Sequence, residues 1–147
     1  MDVLLEARNL TKSFGSLKAV DDISLSVKKG EVLGFLGPNG AGKTTTMKMI
    51  TGFLSPNSGE TFVCGEPVST ASVAARAHLG YLPEGAPLYG DMTPRSFLRF
   101  MAAARGIEKN RGAEIVESAA NAVHLEGVME QRIETLSKGF KRRVGLA

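Results

Sequence analysis

Residues 37–44 combine the residue types that hold phosphate groups in proteins. The run reads Gly-Pro-Asn-Gly-Ala-Gly-Lys-Thr, in which two glycines with four residues between them are followed by Lys and Thr. This pattern predicts a phosphate-binding loop. Glycines let main-chain amides crowd around phosphate oxygens, and a helix beginning near Lys43 adds its own amides and the positive end of its dipole. The predicted nucleotide-binding residues of this segment are Gly37, Pro38, Asn39, Gly40, Ala41, Gly42, Lys43, Thr44 and Thr45.

Two side chains of this loop have distinct expected roles. The Lys43 ammonium would reach the β- and γ-phosphates, and the Thr44 hydroxyl would be a ligand of Mg²⁺. The alternative is a glycine-rich turn that merely connects a strand to a helix. An apolar run at 32–36 before the loop and a helical pattern at 43–50 after it favour nucleotide binding. The loop alone identifies neither the nucleotide nor whether it is hydrolysed.

The elements around the loop are expected to form a mixed α/β region, residues 1–92. Ile23, Leu25 and Val27 alternate with serines, which is typical of a half-buried antiparallel strand. The unbroken apolar runs at 32–36 and 79–82 predict strands that are covered on both faces. Gly52 is expected to end the helix, and Ser69 or Thr70 to cap a short helix through Ala77. Further strands are predicted at 3–10 and 61–64.

From residue 93 onward the periodicity becomes helical. Thr93 followed by Pro94 is typical of a helix start, and Gly106 is typical of its end. A second helix has one apolar face, and Ser137 is expected to cap a third. The apolar face of the second helix consists of Ile115, Val116, Ala119, Ala120 and Val123. We therefore predict a helical region over 93–147.

Composition narrows the class of protein. The 147 residues are 43% apolar and 22% charged, as in globular proteins, and amount to one ordinary domain or one domain plus a small appendage. The net charge of +3 is too small to imply a nucleic-acid partner. The single Cys64 excludes an intramolecular disulfide. With no apolar run of membrane-span length and no signal-peptide pattern, the expectation is a soluble cytosolic chain.

The last twelve residues carry a resemblance to a known family. Residues 136–147 read Leu-Ser-Lys-Gly-Phe-Lys-Arg-Arg-Val-Gly-Leu-Ala. They resemble the signature motif of ABC-transporter ATP-binding subunits, which faces the nucleotide of a partner subunit. The resemblance, together with the phosphate loop, implies an α/β P-loop NTPase fold: an ABC cassette with antiparallel N-terminal strands and a helical lobe. The implied signature residues are Leu136, Ser137, Lys138, Gly139 and Phe140.

Two further segments fit the same family. Residues 9–15 are similar to the segment that stacks an aromatic ring on adenine, which implies that role for Phe14. Residues 80–84 resemble the loop that joins the two lobes and contacts the metal and the transmembrane partner. Glu84 stands where the family usually has Gln, and it is the second candidate for metal contact. The combination looks most like ABC-2-type exporters of the multidrug and gliding-motility branches.

The family's hydrolytic residues have no match in this chain. They follow the signature: an apolar strand ending in Asp and a catalytic Glu, and then a His. No Asp occurs after Asp91, and His78 and His124 both precede the signature. The expectation is an N-terminal part of an ATPase subunit, truncated after the signature with part of its sheet missing. Such a chain would bind ATP and Mg²⁺ and would be inactive alone.

The resemblance implies an energy-coupling ATP-binding subunit of an exporter. Two such subunits, as a homodimer or a heterodimer, would sandwich ATP and act on a transmembrane permease, from the cytoplasmic face of the cell membrane. The alternatives are an ABC-type switch protein acting on ribosomes or DNA repair, and a non-hydrolysing ATP-binding fragment. A GTPase is disfavoured because the chain has no Asn-Lys-x-Asp run. No nucleic-acid partner is predicted, since the basic residues of 138–143 are typical of a solvated helix face.

Overall fold

The computed structural model describes residues 2–85 and 87–147. Their contacts divide the chain into two units, Met1–Tyr81 and Leu82–Ala147. Short 3₁₀ turns occur at Glu126–Val128 and Ile133–Thr135. In chain order, the strands and helices are β1 (Val3–Phe14), β2 (Leu17–Lys28), α1 (Lys43–Ile50), β3 (Ser58–Val63), β4 (Glu66–Pro67), α2 (Val73–Ala77), α3 (Pro94–Ala104), α4 (Lys109–Ala122) and α5 (Lys138–Leu146).

An antiparallel sheet in the order β2-β1-β3-β4 forms the first unit together with α1 and α2. The predicted alternation is present in β2, where Ile23 and Leu25 are half-buried and Ser24 is exposed. Such alternation lets one face of a sheet pack on a core while the other meets solvent. The buried residues that join the sheet to α1 are Ala7, Leu10, Val20, Met49 and Ile50.

Helix α1 has the bounds that the sequence predicts, Lys43–Ile50. Its end is defined by Gly52, which has a φ of 76°, and by a bond from the Phe53 amide to the Lys48 carbonyl of 2.8 Å. A residue in the left-handed region just past a helix satisfies its last carbonyls, and glycine adopts that conformation at least cost. The predicted role of Gly52 is therefore confirmed.

The two buried strands predicted at 32–36 and 79–82 are wrong, because neither segment is a strand. Val32 and Leu36 are each 95% exposed. A fully buried strand needs hydrogen-bonded neighbours on both sides and cover on both faces. In the described sheet the strand order runs from β2 to β4, and neither apolar run pairs with either edge. Apolar composition without a pairing partner does not make a strand.

Smaller predictions in the first unit need adjustment. The strand predicted at 61–64 lies at Ser58–Val63. The short helix α2 is capped by Ser72 rather than by Ser69 or Thr70, since the Ser72 hydroxyl accepts a 3.4 Å bond from the Ala75 amide. A capping side chain must lie immediately before the helix to reach the amide three residues on, and only Ser72 occupies that position.

The second unit is a helical bundle with its own core. Thr93 caps α3 by accepting a bond from the Ser96 amide at 3.2 Å, and Gly106, with a φ of 73°, follows the end of the helix as predicted. The α4 residues Val116 and Ala120 are buried, which confirms the apolar face. The buried core consists of Phe97, Leu98, Ala102, Val116, Ala120, Leu125, Met129, Ile133, Leu136 and Val144.

The observed division after Tyr81 lies before the division after residue 92 that the sequence suggests. Residues just before α3 belong with the helices: Leu88 and Met92 pack against the helical core. The Met92 carbonyl also accepts a 2.9 Å bond from the Ile133 amide. No helix in residues 2–85 and 87–147 combines the length and the hydropathy that a membrane span needs.

Candidate nucleotide-binding site

The loop at 37–42 owes its shape to two glycines in the left-handed region. Gly40 has a φ of 86° and Gly42 a φ of 83°, and the Ala41 amide closes a turn by donating to the Pro38 carbonyl at 3.3 Å. Gly42 is the N-cap of α1 and provides no side-chain cap. The first amides of a helix have no partner within the helix. This loop therefore leads into a helix start suited to an anion.

The Lys43 side chain folds back over the loop. Its Nζ donates to the carbonyls of Gly37 and Pro38, both at 2.6 Å. The ammonium thus lies at the start of the loop, although Lys43 itself is the first residue of α1. A point charge and a helix N-terminus converge on one short segment, and both attract an anion such as a phosphate group.

Gly42 is also required by the sheet. A Cβ built on Gly42 would lie 2.2 Å from the Ala19 carbonyl oxygen and 3.1 Å from Cγ2 of Val20. The loop therefore touches β2 closely, and a larger residue would force the two apart. Sequence reasoning assigned Gly42 to phosphate access but missed Ala19, because nothing in the pattern around Ala19 signals this contact.

The threonines that follow the lysine differ in exposure. Thr44 is exposed and Thr45 is half-buried, whereas Thr46 is only 2% exposed. The Thr46 hydroxyl donates to the Gly42 carbonyl at 3.0 Å, so its function is to hold the first turn of the helix. Thr44 also has a hydroxyl oxygen, and Mg²⁺ prefers oxygen ligands. The remaining loop residues, Pro38, Asn39 and Ala41, are exposed.

Phe14 lies at the end of β1, opposite Leu17 of β2, in the same unit as the loop. Its side chain is 50% exposed, so the ring is not part of the core. The Lys12 Nζ lies 5.6 Å from the ring centroid, and it also donates to the Ser55 carbonyl at 2.7 Å. Because the residue is half exposed, a face of the ring that the Lys12 ammonium does not cover could stack on a base. Sequence reasoning missed Lys12.

The signature residues belong to the helical unit. Leu136 is buried in its core, and the Ser137 hydroxyl caps α5 by accepting from the Phe140 amide at 3.3 Å. Lys138 and Gly139 are exposed. Phe140 is half-buried, with the Arg143 guanidinium 5.3 Å from its ring centroid. The predicted cap is confirmed, and the segment presents Ser137 and Gly139 at a helix N-terminus.

The two candidate metal contacts fall in different units. Thr44 opens α1 in the first unit, and Glu84 lies exposed on a turn in the second unit, where Gly85 has a φ of 65°. Within the described ranges 2–85 and 87–147, no three His, Cys, Asp or Glu side chains gather into a metal-binding group.

Comparison with known proteins shows the family. Residues 20–147 match the family model described as ABC transporter. The chain is 40% identical over 146 residues to the probable multidrug ABC transporter ATP-binding protein YbhF of Escherichia coli K12, with 99% of this chain and 25% of that protein covered. It is 35% identical over 147 residues to the Nod factor export ATP-binding protein I of Cupriavidus metallidurans, covering 48% of that protein. The chain thus spans between a quarter and a half of the length of these curated relatives.

Solved structures agree with the fold. One described as the ATP-binding subunit of an ABC transporter superposes with a TM-score of 0.85 at 29% identity, over 97% of this chain and 59% of that one. The fold of cbiO1 from Clostridium perfringens, part of the cbiONQ transporter complex, is also similar, with a TM-score of 0.83 at 24% identity over 99% of this chain and 60% of that one. The expected fold, a P-loop cassette with an antiparallel sheet and a helical region, is confirmed. The chain belongs to the ABC transporter family, which is a family of ATPases.

Proposed function

We propose that this chain binds ATP with Mg²⁺ as the nucleotide-binding part of an energy-coupling subunit of an ABC-type exporter. The observation that carries the proposal is the Lys43 ammonium, which lies over the loop at 2.6 Å from two of its carbonyls at the start of α1. Residues 37–45 would hold the phosphates and Phe14 would stack on the adenine. Thr44, with Glu84 as a second contact, would hold the metal ion.

The export role rests on the relatives. One relative named above is described as a probable multidrug ABC transporter protein and the other as a Nod factor export protein. These descriptions favour an exporter over a switch acting on ribosomes or DNA repair. The partners we propose are a second ATP-binding subunit, identical or different, and a transmembrane permease. The additional ATP-binding subunit would contact the ATP through Ser137 and Gly139 of the signature. The place of action would be the cytoplasmic face of the cell membrane, with the unit Met1–Tyr81 as the ATP-binding core and the unit Leu82–Ala147 as the helical lobe.

Hydrolysis is a separate proposal. The 147 residues offer the loop lysine and one metal ligand but no residue that matches the family's water-orienting Glu or its His. Phosphoryl transfer depends on a metal and a water that are both held in position. We therefore propose that the chain by itself binds ATP without turning it over.

The test is the affinity of the Lys43→Ala variant for ATP-Mg²⁺, measured by calorimetry. Loss of a charge-assisted bond to the phosphates costs about 1.5–3 kcal/mol, or roughly a 10- to 150-fold weaker affinity. Lys48→Ala is the matched control, since Lys48 is an exposed lysine in the last turn of the same helix. Equal ATP affinity in wild type and a folded Lys43→Ala variant would refute the proposal.

A further inference from the structure

Two residues on neighbouring strands of the sheet share an unusual backbone conformation. Asn9 of β1 and Asp22 of β2 both have a φ of 51°, although neither is glycine. The regular pairing of β1 with β2 shifts between Ala7 and Leu10, which places an irregularity at Asn9. The Asn9 side chain joins the two strands there, because its Nδ2 donates to Oδ1 of Asp22 at 2.8 Å.

The surroundings hold this irregularity in place. The Asn9 amide donates to the Ser24 hydroxyl at 2.8 Å, and the Asp22 amide donates to the Thr11 hydroxyl at 3.1 Å. Gly59 of β3 approaches so closely that a Cβ there would lie 2.4 Å from the Asn9 carbonyl oxygen. Asn and Asp adopt the left-handed region more readily than other non-glycine residues, but they still need neighbours that hold it. Here hydrogen bonds and packing do so from both sides.

The part of the hairpin beyond this irregularity, residues 11–20, leads to the nucleotide site; we call it the distal hairpin. It ends β1 with Phe14, and its Ala19 carbonyl packs against Gly42 of the phosphate loop. A bulge bends a strand and changes the direction in which the following side chains point, and bulges are common beside functional sites. The bond between Asn9 and Asp22 lies at this irregularity, immediately before the distal hairpin.

We infer that Asn9 and Asp22 are positioning residues for the adenine end of the nucleotide. Their bond fixes the bend between the sheet and the distal hairpin, and so sets where Phe14 lies relative to the loop that holds the phosphates. The distal hairpin is also held by the residue before β3, since the Ser13 amide donates to Oδ1 of Asn57 at 2.7 Å. This inference rests on the proposed function, because it assumes that the loop binds phosphate and that Phe14 stacks on the base.

The experiment compares two ligands, ATP-Mg²⁺ and inorganic tripolyphosphate-Mg²⁺, by calorimetry on the full chain. Asn9→Gly and Asp22→Gly each remove the bond, while glycine adopts the positive φ without strain, so both variants are expected to fold. A stacked base is worth at least about fivefold in affinity. We expect each variant to weaken ATP by about fivefold or more and to leave tripolyphosphate unchanged. Asp21→Ala is the matched control, because Asp21 is exposed next to Asp22 and pairs with Lys18.

A rescue variant separates positioning from general damage. Asn9→Asp combined with Asp22→Asn reverses donor and acceptor but keeps the bond, so it should regain the wild-type affinity for ATP. If the glycine variants keep the wild-type ratio of ATP affinity to tripolyphosphate affinity, whether both affinities are unchanged or both fall equally, the inference is wrong but the proposed function stands. A wild-type chain that binds neither ligand would overturn the proposed function, and the inference with it.

Discussion

Gly42 meets two structural requirements at one position of the phosphate loop. Its φ of 83° lies in the left-handed region, and a Cβ there would come within 2.2 Å of the Ala19 carbonyl oxygen. Gly40 has the similar φ of 86° but has no atom within 4 Å of its Cβ position. Substitutions at the two glycines can therefore separate the free-energy cost of the left-handed conformation from that of a steric clash.

We predict that Gly42→Ala lowers the free energy of unfolding more than Gly40→Ala does. The Gly40 variant bears only the left-handed conformation, at about 1–2 kcal/mol. The Gly42 variant bears the same cost and must also move the loop away from β2. Urea unfolding of both variants measures the difference. Equal destabilisation would show that the contact with Ala19 yields without cost.

Phe14 is half-exposed, so its removal should affect binding more than stability. We predict that Phe14→Ala weakens ATP-Mg²⁺ by about 1–3 kcal/mol, the value of a stacked base, while Phe14→Tyr is tolerated because the ring face is kept. Leu17→Ala is the matched control, since Leu17 pairs with Phe14 and is 66% exposed. The measurement is nucleotide affinity by calorimetry. If Phe14→Ala leaves that affinity unchanged, the ring does not contact the base and contributes only to packing.

The sequence identifies the residues of the loop but not their neighbours. Lys43 and Gly42 are recognisable because the motif is contiguous and its spacing reflects the chemistry of phosphate binding. Ala19 lies against Gly42, and Asn9 bonds to Asp22. Both contacts exist because β1 and β2 pair in this particular register. Contacts of that kind depend on strand register, which a single sequence does not specify at a bulge.

At the scale of elements, most helix boundaries that depend on local chemistry were predictable, although the cap of α2 was not. Thr93 before Pro94, Ser137 before α5 and Gly52 after α1 all have their expected roles. Each of these signals acts within one turn of a helix. The apolar runs at 32–36 and 79–82 were misinterpreted because a strand is defined by its partners, and composition does not identify those.

Ser137 allows the local role to be tested apart from the signature role. Its hydroxyl accepts from the Phe140 amide at 3.3 Å and so caps α5. We predict that Ser137→Ala lowers the free energy of unfolding by about 1 kcal/mol, and that Ser137→Asp restores most of it because a carboxylate also caps a helix. Thermal unfolding of the two variants is the measurement. Equal melting temperatures for wild type and Ser137→Ala would contradict the capping role.

At the scale of the whole molecule, each unit has its own buried core. Met49 and Ile50 of α1 pack on the sheet in the first unit, while Phe97 and Leu125 belong to the core of the second. The fold class was predictable because the phosphate loop and the signature together specify a family, and the family specifies the fold. The position at which the chain divides into two units was less predictable. Leu88 and Met92 join the helical core through contacts that the neighbouring sequence does not reveal.

Catalytic competence also belongs to this scale, because hydrolysis needs groups from several elements at once. The first unit has the Lys43 ammonium over the loop and the exposed Thr44 hydroxyl. In the helical unit, Ser137 and Gly139 lie at a helix N-terminus. None of these groups is a base that could orient or deprotonate water. Glu84 is an exposed carboxylate on a turn, and the role that we propose for it is contact with the metal ion.

We predict that the 147-residue chain alone releases phosphate from ATP at no more than the background rate. Absence of a charge-positioning or proton-accepting group costs about two to four orders of magnitude in rate, which lowers a modest ATPase into the noise. The assay compares the chain with its Lys43→Ala variant and with a chimera extended by the residues that follow the matched region in the Escherichia coli relative. The chimera should hydrolyse ATP. If the short chain matches its rate, and Lys43→Ala abolishes that activity, then residues within these 147 supply the water-activating group.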